Sequence, residues 1–66
     1  MTWEELKEKA KKIGYKQDNF LGEALVKEIR YTMAFYKNGD VECNYDYVIV
    51  KDRTPDQMLA IMKALQ

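Results

Sequence analysis

Sixty-six residues make one domain, 1–66, at a size where a single core is only marginally stable and self-association commonly supplies missing burial. Eleven basic and eleven acidic residues cancel, so no overall field draws the chain to nucleic acid, an anionic membrane or an acidic substrate. Histidine is absent, which removes the commonest general base, zinc ligand and triad orienter and argues against an enzyme.

Thr2-Trp3-Glu4-Glu5 fits a capping box and predicts a helix from Trp3. Trp3, Leu6, Ala10 and Ile13 form its apolar stripe, acidic residues lead and lysines follow as the helix dipole prefers, and Gly14 supplies a left-handed stop with Tyr15 folding back toward Ala10. Glu5–Lys9 and Glu8–Lys12 are spaced as i,i+4 ion pairs.

Tyr15 to Glu28 carries mixed signals. Asp18 or Asn19 can cap a short helix with Phe20, Ala24 and Leu25 facing inward, although Gly22 opposes it. The alternative extends the following strand back to Ala24, to about 13 residues, well beyond the usual strand length. A connector that is either irregular or helical for one or two turns is the expectation.

From Ile29 to Ile49 apolar residues alternate around a Lys37-Asn38-Gly39 break. A two-residue loop would place Phe35 opposite Glu42 and send the two apolar rows to opposite faces. A three-residue loop with Gly39 left-handed instead pairs Phe35 with Val41, Met33 with Cys43, Tyr31 with Tyr45 and Ile29 with Tyr47, gathering the apolar row on one face. Thr32 then stands across from Asn44 and Arg30 from Asp46. Thr54-Pro55-Asp56-Gln57 opens a last helix, whose Met58, Ile61, Met62 and Leu65 recur at core-facing spacing.

The expected fold class is α+β: a two-layer module of helix, connector, β-hairpin and helix, with both helices on one face of the hairpin. Its strand edges are unpaired. Tyr36, Val48 and Val50, with Ala34, fall on the face turned away from the helices, where a branched apolar cluster suits a protein interface.

Chemistry is sparse. Cys43, the single cysteine, excludes an intrachain disulfide framework; it lies in the apolar row without a cationic neighbour to activate it and reads as a small core hydrophobe. Asp40, Glu42, Asn44 and Asp46 alternate like a calcium loop, but on a strand same-side residues stand ~6.6–6.8 Å apart and cannot surround one ion. No metal and no cofactor is expected. Lys9, Lys12 and Lys16 with Tyr15 lie along one flank of the first helix and offer a phosphate track. No apolar run approaches the ~18–20 residues of a membrane span and no signal peptide is seen, so a cytoplasmic location is expected.

Trp3-Glu4-Glu5-Leu6-Lys7, the Gly14-Tyr15 stop and the hairpin followed by Thr54-Pro55 resemble short uncharacterised proteins encoded on conjugative mobile elements of Gram-positive bacteria. That resemblance implies no catalytic residues. Size and element order are also similar to small toxin ribonucleases of the HicA type, whose reliance on histidine argues against nuclease activity here. The expected function is a non-enzymatic protein–protein interaction module, self-associating as a homodimer through the hairpin or binding another protein. The alternative is a weak nucleic-acid-binding accessory protein using Lys9, Lys12 and Lys16.

Overall fold

Both helix starts form as their sequences dictate. In the computed structural model, which describes residues 1–19 and 22–66, the Glu5 amide donates to Thr2 Oγ1 and the Thr2 amide to Glu5 Oε1, each at 3.1 Å, opening α1 (Trp3–Lys12). The Thr2 amide holds the Glu5 carboxyl below its usual range. α1 ends in a Schellman motif: the Tyr15 amide donates to the Ala10 carbonyl at 3.0 Å and the Gly14 amide to Lys11 at 3.2 Å, with Gly14 at φ 98°. α2 (Pro55–Ala64) opens with the same reciprocal box between Thr54 and Gln57, at 2.9 and 3.2 Å.

Between the helices lies a five-stranded antiparallel sheet in sequential order: β1 (Lys16–Asp18), β2 (Ala24–Glu28), β3 (Thr32–Tyr36), β4 (Val41–Cys43) and β5 (Tyr47–Val50). The α+β class and the central hairpin stand as expected. Phe35 pairs with Val41 and Met33 with Cys43, and the Tyr36 amide donates to the Asp40 carbonyl across the Lys37-Asn38-Gly39 loop, with Gly39 at φ 102°. Thr32 and Asn44 also face each other, joined by an Asn44 amide to Thr32 carbonyl bond of 2.8 Å and a Thr32 amide to Asn44 Oδ1 bond of 3.2 Å.

Three corrections follow from the strands. The connector contributes two strands rather than helical turns, because β2 pairs with β3 through the whole run from Ala24↔Tyr36 to Glu28↔Thr32, and that ladder outweighs the helix propensity of Glu23-Ala24-Leu25. The inward placement expected for Phe20 falls outside the described residues. The apolar row does not continue as one hairpin past Cys43: Asn44 and Tyr45 adopt φ of 55° and 67°, so the chain turns and Cys43 pairs with Tyr47. Tyr31↔Tyr45 and Ile29↔Tyr47 are therefore not formed, and Ile29 to Tyr31 is a tight turn closed by an Ile29 amide to Tyr31 carbonyl bond of 3.0 Å.

Both helices pack on the sheet face that carries Leu25, Met33, Phe35 and Val41, forming one core with Leu6, Ala10, Met58 and Met62. Tyr15 meets Phe35 edge-on, ring centroids 5.5 Å apart, and Lys27 crosses the Tyr15 ring to donate to the Ile13 carbonyl at 2.8 Å. Lys27 thus satisfies an end carbonyl of α1 from within the core-facing side of β2. Glu23 ties the layers at their rim, meeting Lys7 of α1 at 3.2 Å and Lys37 after β3 at 3.5 Å. Among the described residues no helix is long and apolar enough to cross a membrane.

Candidate protein interface

Sequential antiparallel order puts the β2–β3 turn and the β4–β5 turn at the same end of the sheet. Ile29 and Tyr31 stand on the first turn, Tyr45 on the second and Tyr47 on β5 beside it, while Ile49 lies farther along β5, level with Val41 and Glu42. All five are exposed, Tyr47 to 67 %, Tyr45 to 49 % and Ile49 to 48 %. Sequence periodicity assigns these residues to the core. They leave it because the two turns shorten β3 and β4, so the helices cover only the sheet's middle, around Met33, Phe35 and Val41. Asn44-Tyr45-Asp46, an asparagine and an aspartate around one residue, is the turn signal that would have revealed this.

Tyr45 is unusual in a second way. A left-handed φ is costly for a bulky side chain, by roughly 1–2 kcal/mol, and glycine or asparagine fills such turn positions more cheaply. The chain holds an exposed aromatic there instead.

The expected interface residues are only partly brought together. Tyr36 and Val48 do lie on the face away from the helices, since Ala34 pairs with Glu42 and Glu42 with Val48. Tyr36, however, is only 8 % exposed and belongs to a second buried cluster with Ala24, Ala34 and Val26. Burial, and then the Glu42 carboxylate beside it, pushes its hydroxyl pKa up. Val50 is on the other side. A bulge makes Val41 pair with Val50 while Glu42 pairs with Val48, so Ile49 is the extra residue and Val50 rotates onto the helix-covered core.

The two sheet edges differ. β1 exposes Lys16, Gln17 and half-buried Asp18, whereas β5 reads Tyr-Val-Ile-Val with no charge and no proline. Charged residues blunt an edge; an uncharged apolar strand leaves its row of amides and carbonyls available.

The lysines of the phosphate track lie differently with respect to the groove beside the first helix. Lys16 lines an open groove of about 520 Å³ between α1 and β1 together with Lys7, Lys11, Glu8 and Tyr15, while Lys9 and Lys12 do not line it. The ammonium of Lys7 is committed to Glu4 at 3.1 Å and Glu23 at 3.2 Å. The i,i+4 pairs Glu5–Lys9 and Glu8–Lys12 are not among the ion pairs of the described residues; Glu5 is held by the capping box instead. Cys43 is half-buried and free on the helix-side face opposite Tyr47. Among the described residues no three histidine, cysteine or acidic side chains are grouped to hold a metal ion. Comparison with protein-family models, with curated proteins and with solved structures found no match to this chain.

Proposed function

We propose that the protein is a non-enzymatic interaction module that binds other protein through the turn end of its sheet and the β5 edge. The observation that carries this reading is the set of five large apolar side chains left exposed in so small a domain, Ile29, Tyr31, Tyr45 and Tyr47 at the turn end and Ile49 farther along the β5 edge. Contiguous exposed apolar surface marks contact sites, and tyrosines give large contact area at low entropic cost. The strained Tyr45 supports it further, since backbone strain that the fold retains clusters at functional positions. The resemblance to short proteins of conjugative elements adds no catalytic residue to this reading.

The test compares the wild type with a Tyr31→Ser/Tyr47→Ser variant, using light scattering across concentration and affinity capture from cell extract. Both sites are exposed, so the variant keeps the fold, checked by circular dichroism. Association or capture that the wild type shows and the variant loses supports the module. A wild type that stays monomeric at high concentration, and captures nothing the variant does not, overturns it. The competing reading, a nucleic-acid accessory using Lys9, Lys12 and Lys16, requires oligonucleotide affinity that falls steeply with salt; a flat titration removes it.

A further inference from the structure

We infer that the occupant of the β5 edge is a second copy of this chain, its β5 antiparallel to the first, so that two five-stranded sheets join into one of ten. The inference rests on the interaction reading above and adds the partner and its orientation. β5 is an edge strand of four residues, Tyr47–Val50, without a charge inside it. Its two flanks are charged and opposite: Asp46 precedes it and Lys51 follows it, both exposed and neither in an ion pair among the described residues.

Antiparallel pairing about a two-fold axis brings Asp46 of one copy beside the partner's Lys51, and symmetry makes the contact twice. Parallel pairing would set aspartate beside aspartate and lysine beside lysine. The flanks therefore select the antiparallel, isologous arrangement. With Asp46 opposite the partner's Lys51, Tyr47 of one copy stands opposite Val50 of the other and Val48 opposite Ile49, aromatic and β-branched combinations that favour sheet pairing. A formal net charge of zero leaves no overall repulsion between copies. A standard interface takes roughly 800 Å² per partner, about a fifth of this chain's 4404 Å² surface. Four strand residues, Tyr47 and Ile49 among them, do not reach that alone, and the adjoining exposed Tyr45 extends the contact.

The test is charge reversal with rescue, read by sedimentation equilibrium at low salt on the wild type, D46K, K51D and D46K/K51D. All changes are at exposed positions outside the core, and circular dichroism confirms the fold of each. Expected is a wild-type dimer, a rise of at least about tenfold in the dissociation constant for each single variant, because two attractive contacts become two repulsive ones, and return to within about threefold of wild type in the double variant. Amide exchange should slow in β5, and not in β1, as concentration rises.

Single variants that associate like the wild type, or a double variant that fails to recover, overturn the pairing. If Tyr31→Ser/Tyr47→Ser still abolishes association in that case, the interaction module stands and only its geometry falls. A wild type that is monomeric throughout also overturns the inference, and capture of another protein, lost in the tyrosine variant, would then keep the module without the dimer.

Discussion

Gly39→Ala is expected to be the most damaging single-methyl change available in this chain. Gly39 sits at φ 102°, where an L side chain costs roughly 1–2 kcal/mol, of which about 0.4–1 kcal/mol is returned by stiffening the unfolded chain. Sterics add to that. A Cβ there would stand 2.9 Å from both the Arg53 amide nitrogen and the Asp52 Cα, and 3.1 Å from the Arg53 carbonyl oxygen, all backbone atoms that cannot swing aside. Relief requires the segment before α2 to move away from the β3–β4 loop, which threatens the 2.9 Å bond from the Arg53 amide to the Gly39 carbonyl, worth ~1 kcal/mol, and overpacking of this kind costs ~1–3 kcal/mol. The sum is about 2–5 kcal/mol. A domain of 66 residues holds ~3–10 kcal/mol in all, so its melting temperature should fall by roughly 10–40 °C. Gly22→Ala is the control: its φ is 115°, yet a Cβ would meet nothing within 4 Å, so only the backbone cost less the same unfolded-chain return applies, about 0–1.5 kcal/mol net. Urea and thermal denaturation of both variants, followed by circular dichroism with unchanged m-values, measure the difference. Equal losses in the two variants would mean that the loop and the α2 approach are not in contact, and the packing argument would fail.

Two further outcomes follow from the exposed and charged groups. Tyr45→Gly relieves a φ of 67° at the β4–β5 turn and should stabilise the monomer by about 0.5–1 kcal/mol while weakening association; a variant that loses stability would show that the Tyr45 ring packs as core. The Lys7 ammonium, bonded to Glu23, holds that carboxyl below its ordinary range, so its contribution to stability is present above the ordinary glutamate value and is lost as pH falls through the depressed one; Glu23→Gln should flatten the acid limb of a stability–pH profile between those two values, and an unchanged limb refutes the link.

Much of this fold is legible in the residues. Capping boxes, the Gly14-Tyr15 stop and the Phe35↔Val41 register each rest on a local rule with few competitors, and each forms. β2 was hidden because its alternation is disguised: Lys27 occupies the core-facing side, where its ammonium reaches the Ile13 carbonyl, while Ala24 on the other side is buried in the second cluster. Both faces of that strand are thus partly covered and one buried-side position is charged, which removes the period-of-two signal. The β2–β3 turn was hidden because Ile29-Arg30-Tyr31 contains none of the residues that mark turns. The site suffered most from these omissions. The two turns expose four side chains of the apolar row, Ile29, Tyr31, Tyr45 and Tyr47, and the bulge exchanges Val50 for Ile49 at the exposed edge.

The contrast between the two edges also bears on where self-association stops. With zero formal net charge the chain lacks the general repulsion that keeps many small domains apart, so protection against open-ended strand addition has to be local. An isologous β5 contact consumes the apolar edge of both copies at once and leaves only the β1 edges, each carrying Lys16, Gln17 and Asp18. Filament growth would need β5 of one copy against β1 of the next, which sets an uncharged strand over charged, largely solvent-exposed residues and forfeits the paired Asp46–Lys51 contacts. In the proposed β5-paired dimer, closure at two copies would follow from the difference between the strand that begins the meander and the strand that ends it.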